Sequence, residues 1–339
     1  MRAVGYNEPG ALERADALLD IDLSIPAAAG RDLLVEVRAI SVNPVDAKIR
    51  SAMPSYGGAP TVLGWDVAGV VAAVGSDVTL FRPGDEVFYS GTVGRPGGNS
   101  EFHLVDERIV GRKPASLDWA SAAALPLTAI TAWEALFDRM DVGRPVVGAA
   151  HAIVIVGGAG GVGSIAVQLA RQLTDLTVIA TASRPETTAW VKEMGAHHVL
   201  DHRRPLSEQV TALGLGAPAF VFSTTHTEQH LEEIGTLIAP QGRLCTVDDA
   251  AVFPSTGNLK MKSISIHLEM VFTRPLLQTA DMARQGEILN EVSRLVDQGA
   301  IRSTRSECLS PINADNLKRA HAMIESNTVK GKIVLEGWG

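Results

Sequence analysis

The sequence predicts an α/β protein of two domains, one β-rich and one built on a doubly wound parallel sheet. Three observations carry this. Residues 152–171 run from a short apolar, β-branched segment through a glycine cluster into a helical spacing. From 152 to about 270, strand-like and helix-like segments alternate, as crossover connections in a parallel sheet require. Residues 1–127 instead hold many short strands cut by Gly and Pro turns, the pattern of a small barrel or similar compact β fold. At 339 residues the chain is also too long for one ordinary core.

Taken in order, residues 1–6 begin a strand, 33–40 form another, and 67–74 a third that ends at Gly75-Ser76-Asp77. Arg82-Pro83-Gly84-Asp85 is a turn, because proline presets φ and glycine accepts positive φ; a strand follows through Phe88. Residues 94–98 are a loop, and 100–104 resume a strand. Asp118 is placed to N-cap a helix over 118–125, Pro126 interrupts it, and 128–138 continue as helix, crossing between domains. The second domain reads as strands at 153–156, 177–182, 198–200, 219–222, 244–247 and 263–267. Helices fall at 162–172, 186–194, 206–213 and 228–238, and Gly195 sits where a glycine ends a helix. The segment 260–267 lacks a helix before it and reads as an edge strand open to a second subunit. A helical pattern over 276–298 ends at Gly299, a helix spans 313–325 with Asn313 or Asp315 at its start, and 332–335 form a last strand. The tail is expected to fold back onto the N-terminal domain. The expected boundaries are 1–127, 128–275 and 276–339.

Gly158, Gly160 and Gly163 fit G-x-G-x-x-G between the predicted strand and helix. The first glycine permits a tight turn, the second lets the backbone approach a pyrophosphate, and the third lets the helix pack on the strand. The amides and positive end of the helix then face the phosphates. The alternative is a purely structural turn, but the strand and helix supply the context a dinucleotide site needs. The next strand is followed by Ser183-Arg184-Pro185-Glu186. A carboxylate at its end would accept from a ribose 2′-OH; here a hydroxyl and a guanidinium suit a 2′-phosphate. One such contact contributes about 1.5–3 kcal/mol, roughly a ten- to hundredfold preference. NADPH is therefore expected over NADH, with Glu186 acceptable in the first turn of a helix.

A formal net charge of −8 argues against nucleic acid or an anionic membrane as the main partner. No apolar run of membrane-spanning length is read, and the N-terminus lacks a signal-peptide core, which fits a cytoplasmic location. Cys245 and Cys308 offer neither a disulfide framework nor a C-x-x-C zinc pattern.

With these residues in view the chain resembles the medium-chain dehydrogenase/reductase superfamily along nearly its full length. It is most similar to the zinc-independent quinone oxidoreductase branch, in the zinc-type alcohol dehydrogenase-like subgroup. The resemblance rests on Ser41-Val42-Asn43-Pro44-Val45-Asp46, Leu63-Gly64-Trp65-Asp66-Val67-Ala68-Gly69-Val70-Val71, Pro83-Gly84-Asp85-Glu86-Val87, Ala124-Leu125-Pro126-Leu127-Thr128, the glycine motif and Gly331-Lys332-Ile333-Val334-Leu335. It implies a GroES-like catalytic domain made from both ends of the chain, a central Rossmann domain, and a cofactor in the cleft between them. Zinc-dependent relatives carry cysteine where this chain has Asn43 and His-Glu where it has Trp65-Asp66. Asn and Trp are poor ligands, and a catalytic zinc needs about three good ones. The pair His226/His230 at helical spacing and the group His197, His198, His202 add no cysteine or third clustered ligand. No zinc is expected.

The resemblance further implies that Asn43 and Asp46, in an Asn-Pro-x-Asp loop, border the nicotinamide, with the Asn43 amide donating to the substrate oxygen. Lys48 either supplies charge or a proton or points to solvent; Trp65 either walls the pocket or is core. Thr128 approaches the nicotinamide, or else serves a helix start. Gly160, Gly161 and Val162 offer amides to the pyrophosphate, His202 stacks near the adenine, Ser223 and Thr224 border the ribose, and Val247 and Lys330 complete the contacts. Without a metal, hydride transfer to a simple ketone builds an unstabilised alkoxide, whereas a quinone or enone delocalises the charge. The expected activity is NADPH-dependent reduction of quinones or α,β-unsaturated carbonyls, small-molecule chemistry by a homodimer. The alternatives are an NADP(H) alcohol dehydrogenase acting on simple alcohols and aldehydes, or a non-catalytic NADPH-binding protein.

Overall fold

Apolar side chains at alternating and consecutive positions start the first sheet. The computed structural model describes residues 1–54, 59–248 and 257–339. In it β1 (Arg2–Tyr6) buries every residue after its first, and β2 (Leu19–Asp22) pairs with it. β3 (Asp32–Val42) is the long central strand of the N-terminal half. It feeds directly into α1 (Pro44–Ala52), a helix in the segment expected to be a loop. Asn43 as N-cap, Pro44 at the first helical position and Asp46 at the third explain the start. There follow β4 (Thr61–Val62), β5 (Val67–Val74), β6 (Glu86–Tyr89), β7 (Phe102–Asp106) and β8 (Val110–Arg112). β7 begins two residues later than predicted, and Ser100 makes only an isolated bridge to Ala3. α2 (Trp119–Ala123) is capped by the Asp118 carboxylate accepting from the Ser121 amide at 2.6 Å. α3 (Pro126–Trp133) starts on Pro126 itself, where a missing N–H is harmless, and runs into a π-helical turn at Glu134–Arg139.

The parallel part comprises β9 (Ala150–Val156), α4 (Gly161–Leu173), β10 (Thr177–Thr181), α5 (Pro185–Glu193), β11 (His198–Leu200), α6 (Leu206–Ala212), β12 (Pro218–Ser223), α7 (Thr227–Leu237), β13 (Arg243–Thr246), α8 (Gly257–Met261) and β14 (Ser265–Leu268). A short helix, α8, therefore does precede the last strand. The chain closes with α9 (Thr273–Leu277), α10 (Arg284–Asp297), β15 (Arg305–Leu309), α11 (Ala314–Glu325) and β16 (Lys332–Glu336). The single helix expected over 276–298 is two helices. Gln278 turns left-handed at φ 48° and ends α9, and Arg274 pairs with Asp281 in the break at 3.0 Å. Asn313 caps α11, and Gly299 follows α10 at φ 71°.

The chain forms two compact units, Met1–Ile130 with Phe272–Gly339, and Thr131–Val271. Unit 1 holds the small sheet β2-β1-β4 and a larger one ordered β15-β16-β3-β5-β6-β8, with β7 also on β3. Its core comes from the buried faces of these sheets, including Val35, Val37, Ile40, Phe88, Val334 and Leu335. Unit 2 is the parallel sheet β11-β10-β9-β12-β13-β14. Val154, Ile179, Val221, Ile234 and Leu244 pack in its core, and β11 and β14 are its edge strands. Trp119–Arg139 is long and apolar enough to cross a membrane by composition, a run the sequence reading did not single out. Its most apolar stretch is 83% buried inside the protein, as in a core helix.

Unit 2 also carries a buried charge cluster. Arg139 meets Glu269 at 2.9 Å and Glu134 at 3.8 Å, and both carboxylate side chains are fully buried. Burial, and then repulsion from Glu134, push the Glu269 carboxyl upward. The folded state thus keeps a proton that the unfolded chain releases above the ordinary value of 4.5. That contribution is complete below 4.5 and is lost as pH rises toward the raised folded value. Glu269→Gln, which holds its proton at every pH, should become increasingly stable relative to the natural chain as pH rises above 4.5. Melting curves across pH test this, and parallel pH dependences for the two chains would refute it.

Candidate functional site

In unit 2 the turn between β9 and α4 is made of glycines for separable reasons. The residue at positive φ is Gly157, at 79°, so the tight turn lies one residue before the first glycine of the predicted motif. Its amide donates to Thr181 Oγ1 at 3.0 Å. Gly158 is needed for packing instead: a Cβ there would lie 2.8 Å from the Ala180 Cβ. Gly163 lets α4 sit on the turn, since its Cβ would come within 2.2 Å of the Gly157 carbonyl oxygen. Above Gly160 there is room, with no atom nearer than 3.5 Å to a built Cβ. Gly160 is the N-cap of α4, so Gly161, Val162 and Gly163 occupy its first turn, where amides have no intrahelical acceptor. An open glycine beside such a turn fits a pyrophosphate.

Ser183 and Arg184 follow β10, both half-buried. Arg184 Nε meets Glu186 at 2.8 Å, so the acid in the first turn of α5 is the arginine's partner. His202 lies two residues past β11, with its ring 6.4 Å from that of His230. Only His230 of the pair at helical spacing is inside α7; His226 is the left-handed residue before it, at φ 51°. Ser223 is fully buried at the end of β12, and its hydroxyl accepts from Thr227 at 2.8 Å. Thr224 donates to the Val156 carbonyl at 2.8 Å, and the Val247 amide donates to Ser223 at 3.3 Å. These bonds tie the ends of β9, β12 and β13 together.

Unit 1 gathers the other predicted residues around a buried polar knot. The register of β3 against β5 brings Asp66 beside the end of β3, and the pairing of Ile333 with Val42 brings Lys332 there too. Lys332 Nζ donates to the Val42 carbonyl at 2.9 Å, to Asp66 Oδ2 at 3.0 Å and to Asn43 Oδ1. Asn43 Nδ2 donates to Asp66 Oδ2 at 2.8 Å and to the Ser41 carbonyl at 3.4 Å. Asp66 Oδ1 accepts from the Leu127 amide at 2.7 Å. Asn43, Asp66 and Lys332 are 1%, 0% and 3% exposed. Asn43 is therefore not a donor awaiting a substrate oxygen: both ends of its amide are engaged inside the unit. Asp46 caps α1, its Oδ2 accepting from the Asn43 amide at 2.7 Å, and burial pushes its carboxyl up to about 7. Burial likewise raises the Asp66 carboxyl, against the pull of the Lys332 ammonium.

Trp65 is 2% exposed and packs edge-on against Phe272 at 6.0 Å. Lys48 is exposed on α1, and buried Thr128 donates to the Leu125 carbonyl at 3.0 Å. Lys330 belongs to unit 1, where its carbonyl accepts from Ser306. The residue that sequence reasoning missed is Lys332. A lysine opening an otherwise apolar strand was the available signal.

The knot does not fit zinc. Its donors are an amide and a carboxylate already bound to an ammonium, beside an indole, and an ammonium repels a second cation. Among the described residues no group of three or more His, Cys, Asp or Glu is arranged to hold a metal.

Comparison with known proteins agrees with this architecture. Residues 29–115 match the alcohol dehydrogenase GroES-like domain family, and residues 161–275 match the zinc-binding dehydrogenase family. A zinc-type alcohol dehydrogenase-like protein of Staphylococcus aureus strain MSSA476 is 38% identical over 336 residues, 99% of each chain. A quinone oxidoreductase of Pongo abelii is 37% identical over 204 residues, 60% of this chain and 59% of that one. A crystal structure of a Rhizobium etli CFN 42 protein, provisionally described as a zinc-dependent alcohol dehydrogenase, superposes with a TM-score of 0.98 at 65% identity. It covers 100% of this chain and 98% of that one.

Proposed function

The chain belongs to the medium-chain dehydrogenase/reductase superfamily, in its quinone oxidoreductase-like branch, and from that membership we propose that it is an NADPH-dependent reductase of quinones or α,β-unsaturated carbonyls. The observation that carries the substrate class is the knot in unit 1. An amide, a carboxylate and an ammonium saturate one another where a Lewis acid would need three good donors. An acceptor that spreads its own negative charge makes the smaller demand on such a centre. The name of the Pongo abelii relative points the same way.

NADPH, when bound, supplies the hydride. The rest is the work of this chain's residues. The first-turn amides of α4 hold the pyrophosphate, and Gly160 leaves it room. Arg184, with Ser183 beside it, grips the 2′-phosphate; a guanidinium has five N–H donors, enough for a phosphate and Glu186 together. In unit 1 Lys332 and Asp66 fix the Asn43 amide, and Asn43 fixes Asp46. The Asp46 carboxyl, raised to about 7, exchanges its proton near neutrality. Exposed Leu268 on the edge strand β14 supports pairing with a second copy, which sedimentation would read as a dimer.

Arg184→Ala should raise the Kd for NADPH by about ten- to hundredfold while leaving that for NADH nearly unchanged; equal affinities before and after the change would refute the phosphate assignment. The deciding assay is a panel of quinones and enones with NADPH. Turnover of several is expected. No turnover of any, alongside good oxidation of simple alcohols with NADP+, would overturn the reading.

A further inference from the structure

Three histidines of unit 2 lie near one another, and one of them, His202, also feels the charge of Arg184. His202 follows β11, the neighbour of β10, whose end carries Arg184. His226 opens α7 and His230 lies one turn further on. The His202 and His230 rings are 6.4 Å apart with their planes at 56°. His202 and His230 are half-buried and His226 is exposed.

Carboxylates nearby are already bridged. Asp201 is held by Arg203 at 2.8 Å, Glu186 by Arg184 at 2.8 Å, and Glu233 accepts from the Ser207 amide and hydroxyl at 2.8 Å each. With neutral imidazoles, the three carboxylates slightly outweigh Arg184 and Arg203. A doubly charged anion added here needs more positive charge than the two arginines give.

We infer that His202 beside Arg184, with His226 and His230 next to it, forms a proton-accepting site for a phosphomonoester dianion, namely the 2′-phosphate of the bound nucleotide. This rests on the NADP(H) reading above and adds to it a specific linkage: the phosphate is bound together with protons. Burial holds His202 and His230 below the ordinary histidine value. For His230, repulsion from His202 and His226 adds to this; for His202, the Asp201 charge opposes it, while Arg203, His226 and Arg184 reinforce it. His202 and His230 are thus mainly uncharged at neutrality, and a dianion brought alongside reverses that preference. The site should therefore favour the phosphorylated nucleotide most in mildly acidic solution.

The test is calorimetric titration of the full-length protein with NADP+ and with NAD+ from pH 6.5 to 8, in buffers of different ionisation enthalpy. NADP+ binding should take up about one proton and weaken about tenfold across the range, and NAD+ binding should do neither. His202→Gln and His230→Gln should each reduce the proton uptake, with the NAD+ affinity of His230→Gln retained as the check on folding. Exposed His226→Gln provides a third variant that does not disturb packing. NADP+ binding that is tighter than NAD+ binding yet independent of pH and buffer would overturn this inference and leave the cofactor reading standing. NADP+ binding no tighter than NAD+ at any pH would remove both.

Discussion

Lys332→Ala should lower the stability of unit 1 by about 3–5 kcal/mol, the cost of removing one member of a buried ion pair. The magnitude follows from what remains. Asp66 is fully buried, and Lys332 is its only ion-pair partner among the described residues. Without the ammonium, a carboxylate already pushed upward by burial must take a proton or stay charged in a dry site. Two further acceptors, the Val42 carbonyl and Asn43 Oδ1, lose their donor as well. Asn43 is then held only through its Nδ2, by Asp66 and the Ser41 carbonyl, with its Oδ1 left unpaired. Reductase activity should fall with stability. The double replacement Lys332→Met with Asp66→Leu should recover much of the lost stability, because no charge is left unpaired, but not the activity. Urea denaturation of the single and double variants measures the coupling. A loss below about 1 kcal/mol for Lys332→Ala would show that the pair is solvated and the knot unimportant.

Gly163→Ala and Gly160→Ala should fail in different ways. At Gly163 the new methyl would meet a backbone oxygen at 2.2 Å, and backbone cannot swing aside as a side chain can. Helix α4 must lift from the turn, at a cost of about 3 kcal/mol, and its first-turn amides lose their aim. Stability of unit 2 and nucleotide affinity should both drop. At Gly160 the nearest atom is 3.5 Å away, so the fold accepts the methyl. The melting temperature should barely move, while NADPH affinity falls because the methyl stands where the pyrophosphate approaches. Unchanged NADPH affinity in Gly160→Ala would place the phosphates elsewhere.

These residues also show where sequence reasoning succeeds and where it stops. Strand β9, the glycines and α4 are contiguous, so their pattern of β-branched run, glycines and helical spacing is visible as text. Asp118 and Asn313 were readable as N-caps because a cap acts on amides two or three residues away. The start of α1 used the same short-range grammar, Asn43-Pro44 with Asp46, and was missed only because a family pattern presented it as a loop. The break between α9 and α10 was not legible, since Gln278 at φ 48° is a conformation its sequence does not demand.

By itself, then, the sequence determined the two kinds of architecture, the glycine turn, the hydroxyl–guanidinium pair after β10 and the poverty of zinc ligands. All of these depend on residue type and near neighbours. Only the tertiary structure decided that Lys332 meets Asp66 across 266 residues, that the Asn43 amide is turned inward, and that Gly157 rather than Gly158 carries the turn. The physical reason is that a buried charge is stable only beside its partner, and strand register, through Ile333 opposite Val42, is what puts the partner there.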